Sequence, residues 1–208
     1  LKIIENREIR SPKYLDSNPS VQAEQAKTEE EMPVYIFEGR KPKPDAFVCP
    51  EAVIIGKVTI ESGCFIAPGA VLRGDWAEIV VCEGSNIQDN AVIHARPGSK
   101  AYLGKGSHIG HGAIIHGCTI AGHALIGMGA VVNDGAIIGE RSVIASGALV
   151  PPGMEIPSGS VAMGIPAKIT KALNKDMESF LTIGTGLYQT LPKRYDDSLI
   201  EVSLSDCT

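Results

Sequence analysis

The chain has 208 residues, with 24 acids against 19 Lys and Arg, for a formal net charge of −5. Apolar residues make up 44%, only 5% are aromatic and 23 are glycine, so small aliphatic side chains have to build the interior. This balance speaks against a basic nucleic-acid footprint and against wholesale disorder.

No run approaches the ~20 apolar residues needed to span a bilayer, and the N-terminus lacks the layout of a signal peptide, so a cytoplasmic protein without nucleic-acid or membrane partners is expected. The five cysteines (Cys49, Cys64, Cys82, Cys118, Cys207) are odd in number and contain no C-x-x-C pair. They read as reduced thiols, mostly small core residues.

Residues 1–31 are polar, with seven acids and five bases and no repeat, and are read as an N-terminal extension. Met32-Pro33-Val34-Tyr35 has the look of a start site in related chains. From Val48 a period of six takes over. Aliphatic residues fall at Val48, Ile54, Ile60, Ile66 and Leu72, then Val81, Ile87 and Ile93, then Leu103 and Ile109. The last run is Ile114, Ile120, Ile126, Val132, Ile138, Ile144 and Val150. Four residues after most of these comes a small side chain, such as Ala52, Cys64, Ala70, Ser85, Ala91, Ser107, Ala113, Cys118 or Ala124.

Helices repeat near 3.6 and strands near 2, and neither fits. Stacked short strands do: three sides of six residues per coil give an all-β solenoid of roughly six coils. The phase breaks between Leu72 and Val81, between Ile93 and Leu103, and, by one missing residue, between Ile109 and Ile114. Such breaks are expected to be loops. After Pro151-Pro152 the repeat fades, and Ile169, Leu173, Met177, Phe180 and Leu181 have helical spacing. The expected division is therefore 1–31 extension, 32–166 solenoid, 167–195 C-terminal helix packed on it, and 196–208 tail.

All five histidines, His94, His108, His111, His116 and His123, lie within 30 residues. On the solenoid frame Arg73, His94 and His116 roughly stack on one outer face, with Gln88 and His111 on the neighbouring face. His108 and His123 fall at corners. Outer faces of a prism diverge, so one chain cannot easily bring all three ligand candidates together, whereas two chains can. A contact between unlike faces closes as a ring, most simply a trimer. Three neutral histidines with an open position form the ligand set of a catalytic zinc. Spacing alone leaves open that these are ordinary surface histidines, and that Arg73 and Asp75 are an ordinary surface pair.

Arg73-Gly74-Asp75, Asn86-Ile87-Gln88-Asp89-Asn90, Ile93-His94 and Gly110-His111-Gly112-Ala113-Ile114-Ile115-His116-Gly117-Cys118 resemble the signature of γ-class carbonic anhydrase-like proteins. The likeness runs from about Met32 to Tyr195. Leu125-Ile126-Gly127-Met128 and Gly164-Ile165-Pro166-Ala167-Lys168 make it look most similar to the hexapeptide-repeat proteins of phenylacetate-degradation and carnitine operons.

The resemblance implies a left-handed β-helix, a homotrimer, and zinc (alternatively iron or cobalt) at each interface, held by His94, His116 and a neighbour's His111. It further implies an intersubunit ion pair of Arg73 and Asp75, with Gln88 near the metal-bound water and Asn86 and Asp89 in support. Tyr188 matches a C-terminal tyrosine that reaches the active site. The implied reaction is hydration of carbon dioxide to bicarbonate by metal-bound hydroxide. The acids that shuttle protons in the family archetype are missing: Trp76 follows Asp75, and the loop after His94 carries Arg96 and Lys100. The alternatives are an acyl-CoA thioesterase using the same metal, a hexapeptide acyltransferase, and a non-enzymatic trimeric scaffold.

Overall fold

The computed structural model describes residues 42–198. The expectations for residues 1–31, the Met32 segment and Cys207 fall outside the described residues. The chain winds into a left-handed parallel β-solenoid of about six turns with a C-terminal helix. Its first face stacks the strands Phe47–Val48, Phe65–Ile66, Asn86–Ile87, His108–Ile109, Leu125–Ile126, Val143–Ile144 and Ser160–Met163. The second face carries Ile54, Leu72, Ile93, Ile115, Val132 and Val150 in register, and the third carries Ile60, Val81, Leu103, Ile120, Ile138 and Ile156.

Strands Val53–Ile60 and Val71–Val81 run around the corner between these two faces and join them into one hydrogen-bonded sheet. Gly56, at φ +77°, makes that corner possible, since a Cβ there would collide with the backbone of Gly74 in the next coil.

The interior follows the sequence period. Ile66, Leu72, Ile87, Ile93, Leu103, Ile109, Ile120, Ile126 and Ile138 are fully buried, and so are the small residues that turn the corners between them. Each such aliphatic side chain contributes roughly 1.5–3 kcal/mol by leaving water. Four cysteines, Cys49, Cys64, Cys82 and Cys118, are unpaired and buried. Burial pushes the thiols of Cys64 and Cys118 up to about 12.

Three expectations are corrected. Ile114 is not an interior residue: it is 43% exposed, and Ile115 beside it is 0% exposed and pairs with Ile93 and Val132. The missing residue lies one corner later, between Ile115 and Cys118, where Gly117 at φ +53° closes a shortened turn. Between Leu72 and Val81 no loop forms. The extra residues are absorbed into the 11-residue strand Val71–Val81, which shifts register against its neighbour at Gly56/Val58 and leaves Trp76 exposed. The loop after Ile93 does project, with Arg96, Pro97 and Gly98 exposed.

Third, the helix does not start near Ala167. Residues Lys168–Ala172 form a strand antiparallel to Ser160–Met163, which carries Ile169 out of any helical stripe. Helix α1 (Lys175–Gln189) begins where Asn174 caps it, its side chain accepting from Met177 N at 2.9 Å; such a cap satisfies an otherwise orphaned donor. Helix α2 (Leu191–Ser198) reaches into the segment expected to be tail. Helix α1 lies along the first face, with Leu181 and Thr185 buried and Phe180 exposed. Tyr195 of α2 packs edge-on against Phe47 and Phe65. No helix among the described residues is long and apolar enough to cross a membrane.

Candidate functional site

The second face sets Arg73, His94 and His116 in one column, each the Cα partner of the next. They follow the buried Leu72, Ile93 and Ile115, so alternation along the strand turns them outward. His94 Nδ1 and His116 Nε2 approach to 3.2 Å. The remaining nitrogen of each ring meets a carboxylate: His94 Nε2 is 3.1 Å from Asp75 Oδ1, and His116 Nδ1 is 2.9 Å from Asp134 Oδ2.

Arg73 Nη1 donates to Asp75 Oδ2 at 2.7 Å, within the same chain. Burial works to raise the Asp75 pKa, yet hydrogen bonds from Arg73 and His94 hold its carboxyl below the usual carboxylate range. Asp134 Oδ1 has Arg96 Nε at 3.3 Å, off line for a directed hydrogen bond. A Cβ on Gly117 would strike that carboxylate, so the glycine of the shortened corner also opens the space in which Asp134 reaches His116.

His111 sits apart, on the corner turn between the first and second faces. Its Nδ1 is 2.7 Å from Asp89 Oδ2, and its Nε2 is 3.4 Å from the Tyr188 hydroxyl. Burial, then the Asp89 charge, raises the Tyr188 pKa, so the phenol keeps its proton at neutral pH. Among the described residues no three His, Cys, Asp or Glu side chains come together in a way that could hold an ion within one chain. His94 and His116 are brought together; His111 is not.

Beneath α1 lies a polar cluster on the first face. Gln88 and Asn86 are buried, and Gln88 Nε2 donates to Asn86 Oδ1 at 3.1 Å. Both amides meet His108, with Asn86 Nδ2 3.2 Å from its Nδ1 and Gln88 Nε2 2.5 Å from its Nε2. The Tyr188 ring stands edge-on to His108, with centroids 5.0 Å apart. Burial, then the His111 charge, lowers the His108 pKa to about 4, so this imidazole is neutral at pH 7. A neutral imidazole donates at one nitrogen and accepts at the other, so its tautomer sets which way the two amides turn.

Sequence reasoning placed His108 at a corner. It lies instead on the flat of the first face, beside Ile109, where the helix covers it. His123 is a corner residue, at φ +56°. Asp134 was missed. The available signal was its address two residues after Val132, the Cα partner of Ile115, which becomes readable once the phase of that coil is set on Ile115.

The family model described as bacterial transferase hexapeptide (six repeats) matches residues 117–152. The chain is 41% identical over 172 residues to the carnitine operon protein CaiE of Escherichia coli, covering 82% of this chain and 88% of CaiE. Among solved structures, an acetyltransferase candidate from Bacillus cereus is 32% identical with a TM-score of 0.75, covering 77% of this chain and 95% of that one. A hexapeptide transferase family protein from Anaplasma phagocytophilum is 37% identical with a TM-score of 0.71, covering 74% and 92%. The repeat, the solenoid and the extent of the CaiE match agree, and the chain belongs to the hexapeptide-repeat family that includes the carnitine operon protein CaiE.

Proposed function

We propose that the chain is a γ-carbonic anhydrase-like metalloenzyme of the cytoplasm that assembles as a homotrimer and hydrates carbon dioxide to bicarbonate. One observation carries this reading: each of His94, His111 and His116 has one ring nitrogen turned to its own aspartate, at 3.1, 2.7 and 2.9 Å. A ligating histidine typically gives its second nitrogen to a carboxylate, which fixes ring and tautomer and raises basicity. The nitrogens that His94 and His116 turn to each other are 3.2 Å apart. Two donors at about 2.0–2.1 Å around a tetrahedral ion stand about 3.3 Å apart. The donor set therefore fits Zn²⁺, or Fe²⁺ or Co²⁺, with His111 of the partner subunit as third ligand.

Bound by these histidines, Zn²⁺ would supply Lewis acidity, which brings the pKa of water to about 7 and so would provide a nucleophile at neutral pH. The chain's own residues bind and orient. Gln88, buried with its amide nitrogen engaged by Asn86 and His108, is held in one orientation, as a group that positions a reactant must be. The protonated Tyr188 donates toward the His111 corner. Asp75, Asp89 and Asp134 hold the rings. Proton export has no carboxylate in the loop after His94, where Arg96 leans on Asp134 and Lys100 pairs with Glu78 at 3.0 Å. Turnover therefore depends on external buffer.

Support for the trimer comes from the second face. Val53, Val71, Val92, Ile114, Val131 and Leu149 stand in register on its outer side, next to the column of Arg73, His94 and His116. A continuous uncharged strip of this kind marks a contact surface. Because it meets an unlike corner, the contact is heterologous, and a threefold rotation about an axis parallel to the solenoid would close it as a ring.

A second reading, acyl transfer from a coenzyme A thioester with a histidine as general base, is favoured by the acetyltransferase and hexapeptide transferase descriptions of the similar structures. Parallel assays of carbon dioxide hydration, thioester hydrolysis and acyl transfer, each before and after chelation, separate the readings. Chelator-sensitive hydration lost in His111→Ala supports the first. Coenzyme A-dependent activity unchanged by chelation replaces it with the second.

A further inference from the structure

Helix α1 presents two unlike flanks. At about 100° per residue, Leu181, Thr185 and Tyr188 point to the solenoid. Glu178, Thr182 and Gln189 fall on one side, where they line a cleft with His123 and Arg141 at the corner between the third and first faces. The opposite side begins with Asp176 in the first turn and then, uncharged from there on, carries Phe180, Ile183, Gly184 and Leu187. Phe180, Ile183 and Leu187 are 71%, 64% and 64% exposed. This apolar flank overhangs the other corner, between the first and second faces, where His111 sits and Tyr188 reaches it. Single exposed apolar residues are ordinary; two uncharged strips on one chain, both running along the solenoid axis, are not.

The heights of the two strips agree. Tyr188 packs on Phe65 and His108, and Gln189 Nε2 donates to Gly84 O at 3.0 Å, so Leu187 stands at the level of the middle coils that carry Val92 and Ile114. Phe180 and Leu181 lie beside Leu125 and Val143, the level of Val131 and Leu149. A rotation about an axis parallel to the solenoid preserves height. It brings the second face of one chain to the His111 corner of the next, and therefore also under that chain's Phe180–Leu187 flank.

We propose that α1 is a clasp between subunits: its Phe180, Ile183 and Leu187 flank docks on the column Val92, Ile114, Val131 and Leu149 of a second copy of this chain. This rests on the trimeric reading above and adds the surface that secures it. The same helix then seats Tyr188 at the His111 corner and seals the seam beside it, so assembly and completion of the site are coupled through one element.

Sedimentation of the full chain over a concentration series tests the proposal. The wild type is compared with Phe180→Lys/Leu187→Lys and with Thr182→Lys on the opposite flank, and circular dichroism and thermal unfolding report folding. Because the substituted side chains are exposed, the solenoid spectrum should be retained. The expected result is a wild-type and Thr182→Lys species of about three times the 21.9 kDa chain mass, with trimer dissociation at least tenfold easier in the flank variant. Ile114→Glu added to Leu187→Lys should regain association, by opposite charges meeting across the seam. A flank variant that stays as tightly trimeric as the wild type overturns the clasp and leaves the metal reading standing. A wild type that sediments as one chain overturns both.

Discussion

His94 and His116 stand one rung apart on the same sheet face, with Nδ1 of the first 3.2 Å from Nε2 of the second. The spacing follows from the solenoid itself: parallel neighbours lie ~4.8 Å apart, and two imidazoles leaning together from adjacent rungs bring their ring nitrogens within the reach of one ion. Any outward pair at this address would stack. The aspartates on the far nitrogens make the pair a directed one.

Asp134 is the partner most easily tested. Asp134→Asn keeps the shape of the side chain and removes its charge, and metal affinity should fall about 10–100-fold while the solenoid spectrum is unchanged. Competition against a chelating dye measures this. Unaltered affinity would make the contact with His116 incidental.

The inward and outward partners on one strand differ in kind. Ile138 is 0% exposed and its neighbour Ile137 is 45% exposed. Ile138→Ala should cost about 2–5 kcal/mol through lost burial and the cavity left behind. Ile137→Ala should stay within about 0.5 kcal/mol. Urea unfolding at one protein concentration compares them.

His108 should give stability a pH slope. Its folded pKa of about 4 lies below the unfolded value of about 6.5. Between these values the unfolded chain binds a proton that the folded chain does not. The stabilisation from keeping His108 neutral is therefore complete above about pH 6.5 and is lost as pH falls toward 4. Relative to wild type, His108→Asn should lose less stability between pH 7 and pH 4, by up to roughly 3 kcal/mol. Urea midpoints across this range measure the difference; parallel curves would contradict it.

Tyr188→Phe removes the hydroxyl 3.4 Å from His111 Nε2 and leaves the ring on His108 and Phe65. With His111 Nε2 committed to the ion, the hydroxyl is left to donate to the substrate, and turnover should fall on the order of tenfold, the worth of one such hydrogen bond, with metal content and sedimentation unchanged. A parallel loss of metal would make Tyr188 a structural support instead.

The solenoid was legible because each side needs one large aliphatic residue inside and one small residue at the corner, and six-residue spacing survives from Val48 to Val150 with few interruptions. Where it failed, two neighbouring residues satisfied the same rule. Ile114 and Ile115 are both isoleucine, and only the shortened corner at Gly117 decides which one turns inward. Asp134 was hidden by that same slip.

The helix start was misread because Ile169 and Leu173 fit a 3.6 period while belonging to an antiparallel strand and its exit. His108 escaped notice for a different reason: nothing local in the sequence announces that a helix more than 60 residues later will cover it. The likeness of the His94, His111 and His116 motifs to a known family was readable at once. The aspartate on each ring became visible only when the coils were stacked.

The central claim is tested most directly by measuring metal content and mass on the same zinc-supplied preparation of the full chain. One transition metal per chain in a three-chain species, lost in His111→Ala alone and in His94→Ala alone and partly regained when the two variants are mixed and reassembled, so that one seam of each mixed ring again carries all three histidines, is the predicted result. A single chain that retains its metal, or a trimer that takes up none, would contradict it.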